Sequence, residues 1–247
     1  MSKASIPVPD VEVLGDLAMA ASRTARSHLT AAEILIDGGC WPQARALAVL
    51  ALEEAGKAVL CTTAMLAPDE MRQQFPFGDL RRDHLGKLSA GHSIRALLAY
   101  FRGGDNSPPT AAEALTALED LAREDNEGKK LGLYADYRDG AVWEPSHVSE
   151  EQARTTVAAA RDVLDNGGPV IDAALSDWMT DNVPPPVQEF LNRMLQVQDQ
   201  GDEAIRSAIQ DELAKLDGLA EILQNAPDGW LTTAVSSLPQ FRPATDA

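Results

Sequence analysis

The 247-residue sequence predicts an all-α protein, an up-down helical bundle with an additional helical segment at its C-terminal end. Three observations carry that expectation. Hydrophobic residues make up 45% of the chain while aromatics make up only 5%, an Ala- and Leu-rich balance suited to helices packing on helices. Apolar residues recur every three or four positions through most of the first 165 residues. Strand-like alternation never persists beyond a few residues.

The first helix is predicted from about Val11 to Asp37, on the stripe Leu14, Leu17, Ala18, Ala21, Ala25, Leu29 and Ala32. "DGGCWP" then turns the chain: Gly38 and Gly39 end one helix, and Pro42 suits the first turn of the next. The second helix runs to about Leu66, and so short a loop predicts an antiparallel hairpin. A third helix is predicted from Leu80 to Phe101, capped by Asp79 and weakened at Gly86 and Gly91. A fourth starts near Thr110 and weakens at Gly128. "LYADYRDGAVWEPSHVS" reads as an extended arm or short hairpin. The next helix has Ser149 as its cap, with Gln152 three residues on.

After Gly167 and Gly168 the composition changes. Residues 1–166 are read as the bundle and 167–247 as an acidic helical extension. The extension carries a clean amphipathic stripe: Ile205, Ile209, Leu213, Leu216, Ala220 and Leu223.

Net charge is −17, of which −6 falls on residues 1–147 and −11 on residues 148–247. Such a balance argues against generic nucleic-acid binding, which needs a basic face, but leaves room for a small basic cleft. No apolar run reaches the roughly 20 residues of a membrane span. The opening "MSKASIPVPD" lacks the apolar core of a secretory signal, and the two cysteines, Cys40 and Cys61, have no disulfide or zinc-like pattern. The expectation is a cytoplasmic protein without a metal or other cofactor.

The second helix holds the most informative stretch, "ARALAVLALEEAGKAVL". A helix so apolar should be largely buried, yet it carries Arg45, Glu53, Glu54 and Lys57. Charges on a buried helix are unfavourable unless paired. Glu53 and Lys57 stand at i,i+4 in the orientation that suits an ion pair, with Arg45 two turns earlier on a similar face. In the third helix His84, Leu88, His92 and Arg95 share a stripe, and Asp83 and Lys87 flank His84. Histidine is the side chain best suited to acid–base work near neutral pH. His84 and His92 are about 12 Å apart along the axis, too far to share a metal. "EPSH" has a metal-like spacing but no second such motif, so a helical di-metal site is not predicted. "REDNEGKKLGLYADYRDG" gathers Arg123, Lys129, Lys130, Tyr134, Asp136, Tyr137 and Arg138, cations beside aromatics that could clamp a phosphate and stack on a base. The plain alternative for that run is a solvated loop with its tyrosines folded on the core. P-loop, dinucleotide-binding, serine-hydrolase and zinc-protease motifs are absent.

Three pieces stand in order: "LALEEAGKA" at Leu50–Ala58, "RDHLGKL" at Arg82–Leu88 and "GLYADYRDGAVWEP" at Gly132–Pro145. This order resembles the AbiV-type abortive-infection proteins of the HEPN superfamily, over about Leu14 to Leu164. The resemblance implies a helical bundle, commonly a homodimer, used in defence against phage. It also implies a candidate metal-independent endoribonuclease, since many HEPN relatives cleave RNA with an Arg-x4–6-His motif late in the domain. Here Arg123 sits in the late helix with no His at that spacing, and the one match, Arg23 and His28, lies in the first helix. His84 then has to supply the acid or base from another helix. The implied catalytic set is His84, Arg123, Lys57 and Glu54. Lys87, Lys129 and Tyr134 would bind RNA phosphate, and Glu53, Asp83 and Asp136 would orient them. The implied partners are RNA or a phage or host translation component. Two other readings stand beside this one: a non-catalytic helical interaction protein that blocks a phage or host partner, and a helical enzyme acting on a small molecule or using a metal.

Overall fold

A computed structural model of the chain describes residues 10–67, 69, 72, 83–102, 118–138, 140–168, 171 and 193, the side chains of 97–102, 119, 136 and 138 excepted. Beyond residues 167, 168, 171 and 193 the predicted extension lies outside those residues, as do the predicted cap Asp79, the helix start at Leu80 and the start near Thr110.

Helix α1 spans Val11–Asp37. The Asp10 side chain accepts a hydrogen bond from the Val13 amide at 2.9 Å, satisfying one of the free donors at the helix start. Its buried stripe is Leu14, Ala18, Ala21, Ala25, Leu29, Ala32 and Ile36, close to the predicted one except that Leu17 faces outward. Gly38 caps the helix and Gly39 takes a φ of 71°, the left-handed conformation that lets the chain reverse. Helix α2, Trp41–Leu66, follows with Pro42 in its first turn.

Helix α2 is the spine of the bundle. It packs against α1, α3 (His84–Arg102), α4 (Leu118–Leu133) and α5 (Glu150–Asp162). Being surrounded, it buries alanines on nearly every side, including Ala44, Ala46, Ala48, Ala51, Ala55 and Ala58. The main core joins Ala25, Leu29 and Ile36 of α1 to Val49 and Leu52 of α2, Leu88 of α3, Ala122 of α4 and Val157 of α5. Each buried Leu or Val contributes about 1.5–3 kcal/mol over its exposed state.

Three sequence expectations change. The predicted Leu80–Phe101 helix is not continuous through Asp83, which instead caps α3 from His84: its carboxylate accepts from the Gly86 amide at 2.8 Å. Gly86 and Gly91 do not interrupt α3. Gly91 is where α2 crosses, and a Cβ there would stand 2.7 Å from the Leu52 carbonyl oxygen. Gly128 does not weaken α4, which continues to Leu133 with the Arg45 guanidinium laid over that glycine. Tertiary contact outweighs the intrinsic helix penalty of glycine at both positions.

The predicted arm is a two-stranded antiparallel hairpin, β1 (Asp136–Arg138) and β2 (Ala141–Trp143), with Tyr137 opposite Val142. Gly140, at φ 83°, makes the turn. A 3₁₀ turn, Pro145–His147, leads to α5, whose start is the predicted capping box: the Gln152 amide donates to Ser149 Oγ at 3.2 Å and the Ser149 amide to Gln152 Oε1 at 3.0 Å. α5 closes in a π-helical turn, Val163–Gly167.

Candidate functional site

Helices α2, α3 and α4 meet around a buried carboxylate. Glu53, on α2, is 2% exposed. The predicted i,i+4 pair with Lys57 is not formed. Lys57 turns instead to Glu54, Nζ lying 2.6 Å from Oε2. That leaves Glu53 for the neighbouring helices. Its Oε2 accepts from His84 Nδ1–H of α3 at 2.9 Å, and its Oε1 accepts from Lys129 Nζ of α4. Lys87 Nζ, one turn beyond His84, lies 3.8 Å from Oε2. Lys129 Nζ also stands 3.4 Å from His84 Nδ1.

Local packing explains why these three helices come so close. A Cβ at Gly56 would sit 1.7 Å from the Lys87 carbonyl oxygen, so only glycine permits the α2–α3 crossing. Gly132 plays the same part between α4 and the start of α2, where a Cβ would meet the Pro42 carbonyl oxygen at 2.4 Å. Gly56 of "EEAGK" thus lets the helix of Glu53 approach α3, and Gly132 of "GLYAD" lets α4, which carries Lys129, approach α2.

Exposure differs sharply within the cluster. The side chains of Glu53, Lys87 and Lys129 are 3%, 5% and 10% exposed, and that of His84 is 48% exposed. A carboxylate that accepts from Nδ1–H orients the imidazole and selects the tautomer in which Nε2 is the proton acceptor. Burial pushes the Lys87 ammonium below its ordinary value of 10.5, an effect that Glu53 opposes and Lys57 reinforces.

Of the sequence candidates, Glu53, His84, Lys87 and Lys129 converge, with the Glu54–Lys57 pair on the next turn of α2. Arg123 does not join through the face that Lys129 uses. Six residues earlier on α4, it projects about 120° round the helix, is 59% exposed and has Asp120 at 3.9 Å. Tyr134 follows the end of α4 and is 65% exposed. Asp83 serves α3 as its cap. The Asp136 side chain lies outside the described residues.

A second buried polar contact escaped the sequence reading. His92, 2% exposed, donates from Nε2–H to Asp125 Oδ2 at 2.9 Å, with Nδ1 unpartnered. The signal for it was Asp125 standing four residues before Lys129, on the same face of α4. Arg45, 7% exposed, contacts Glu124 at 3.9 Å and keeps its Nε unpartnered. Among the described residues no group of three His, Cys, Asp or Glu side chains is arranged to hold a metal ion, and no helix is long and apolar enough to cross a membrane.

An all-helical bundle in which "LALEEAGKA" and "RDHLGKL" meet at one polar centre has the form of a HEPN-type domain. The chain belongs to the AbiV family: residues 13–165 match the family model HEPN_AbiV, described as AbiV. It is thus a HEPN protein of the abortive-infection type. No curated protein and no solved structure matches it.

Proposed function

We propose that this protein is an antiphage effector that cleaves RNA without a metal, using His84 held by Glu53. The observation that carries the reading is the pairing of a buried carboxylate with a half-exposed imidazole, 2.9 Å apart, beside the Lys129 ammonium. In that arrangement His84 Nε2 takes the proton of a ribose 2′-hydroxyl. The 2′-oxygen forms its bond to phosphorus, the bond to the 5′-oxygen breaks, and the leaving oxygen takes a proton from water. Lys129 and Lys87 favour the charge that builds on the phosphate oxygens, an effect strengthened by their burial. Glu53 orients the imidazole and balances the cation that forms on it.

Purified full-length chain incubated with single-stranded RNA tests this. Products ending in 2′,3′-cyclic phosphate are expected, with activity lost in His84→Ala. Cleavage undiminished in that variant removes the assignment. A cleaving cytoplasmic homodimer acting on translation RNAs is the fuller form of the proposal, and its oligomeric state is read by light scattering.

One observation favours a second reading. Lys87 and Lys129 are buried and Arg123 is exposed, as in an ion network that holds a bundle together. The output would then be binding of a phage or host protein. Phage protection that survives His84→Ala, with no RNA cleavage by the wild type, selects it.

A further inference from the structure

Two buried lysines share one buried carboxylate, and they share it unequally. Lys129 Nζ is hydrogen-bonded to Glu53 Oε1. Lys87 Nζ has its ionic contact at 3.8 Å, beyond hydrogen-bond reach, although its side chain is only 5% exposed. The oxygen it faces, Glu53 Oε2, already accepts from His84. An ammonium carries three donors, and a buried one without acceptors is strongly disfavoured. The buried set of Glu53, Lys87 and Lys129 therefore holds one negative and two positive charges. Glu54 and Lys57 beside it cancel one another. A local positive excess inside a chain of net charge −17 calls for an anion. The way in is His84, one turn before Lys87 on α3 and 48% exposed.

We propose that Lys87 and His84 form a binding site for a phosphate-class anion, built within a single chain. The anion's oxygens supply the acceptors that Lys87 lacks, and a compact ammonium suits such a point contact. Among the cations that the sequence offered for phosphate, the geometry favours Lys87 of α3 over Arg123, which is 59% exposed and stands beside Asp120. The proposal deepens the reading above and rests on it for the identity of the anion as an RNA phosphodiester. Free inorganic phosphate offers the same chemistry. Because an anion favours the charged form of Lys87, binding at alkaline pH should be accompanied by proton uptake.

Isothermal titration of the full-length chain decides it, with inorganic phosphate in one arm and a 2′-O-methylated dinucleoside monophosphate in the other. One site per chain is expected. A charge-assisted hydrogen bond is worth about 1.5–3 kcal/mol, so Lys87→Met should weaken binding roughly tenfold or more. Arg154→Ala, an exposed cation paired with Glu150, should leave it unchanged. Should Lys87→Met fail to fold by circular dichroism, His84→Asn serves in its place, with weaker binding again expected. Phosphate binding without dinucleotide binding supports the site and counts against the RNA reading. Wild-type affinity in the variants, or RNA cleavage by a wild-type chain that binds neither anion, overturns the site and leaves the RNA reading standing.

Discussion

Replacing Glu53 by Gln probes the centre of this bundle with a change of one charge and almost no volume. The side chain is 3% exposed and faces His84, Lys87 and Lys129. Glutamine still accepts through its one carbonyl oxygen, but its NH₂ group turns a donor toward two buried ammonium groups. Removing one partner of a buried ion pair generally costs about 3–5 kcal/mol, because the other charge is left uncompensated. A domain's total stability is about 5–15 kcal/mol, so the loss is a large share of it. At about 2–4 °C per kcal/mol for a chain of this size, the Tm should fall by roughly 6–20 °C. Glu54→Gln is the internal comparison: its pair with Lys57 is local to one helix, and both side chains are about a fifth exposed, so less than about 1 kcal/mol is expected. Thermal and urea unfolding followed by far-UV circular dichroism measure both. A second substitution, Lys129→Met in the Glu53→Gln background, should recover part of the loss, since it removes one of the stranded charges. A Glu53→Gln chain within about 0.5 kcal/mol of wild type would refute the reasoning, because changes that small are what surface substitutions produce.

The remaining predictions concern packing and titration. Gly56→Ala puts a Cβ 1.7 Å from the Lys87 carbonyl oxygen, so α2 and α3 must separate; a loss of about 3 kcal/mol or more is expected by urea denaturation. Gly15→Ala should act oppositely, because its Cβ meets only Met65 Sδ at an ordinary 3.6 Å; the gain in helix propensity is about 1 kcal/mol, seen as a higher Tm. Burial pushes the Cys61 thiol up to about 11 while Cys40 is exposed; alkylation of the folded chain near pH 8, read by mass spectrometry, should label Cys40 and spare Cys61. The folded state then binds more protons than the unfolded one between the ordinary thiol value of 9.0 and about 11, so the Cys61 contribution to stability should decline as pH rises through that window. Lys87 works in the other sense: its value is lowered in the folded chain, so its contribution improves as pH rises toward 10.5, and comparing wild type with Lys87→Met across alkaline pH isolates it.

Much of this protein was legible in one dimension. The bounds of α1, its Asp37–Pro42 turn and the Ser149–Gln152 cap follow from short-range rules, in which a side chain meets backbone three or four residues away. The hairpin was legible because Gly140 and the aromatics around it break the helical pattern. The same local rules failed at the glycines. Gly86, Gly91 and Gly128 read as weak points because propensity is a property of an isolated helix, whereas each of these lies against a neighbouring group: the Asp83 carboxylate, the Leu52 carbonyl and the Arg45 guanidinium.

The candidate site divides along the same line. The sequence by itself determined that Glu53, His84 and Lys87 stand in two of the three AbiV-type pieces and Lys129 just before the third, with Glu53 on a helix too apolar to leave its charges in water. It could not determine which charge meets which. Glu53 and Glu54 are adjacent, both are within reach of Lys57 along the helix, and the i,i+4 rule prefers the wrong one. Only the packing of α3 and α4 onto α2 decided that Glu53 faces inward, because the 100° between successive residues of a helix puts one carboxylate at the glycine crossing and its neighbour on the next face. That rotation makes Glu53 the hub, brings in Lys129 from 76 residues away and leaves Arg123 pointing elsewhere.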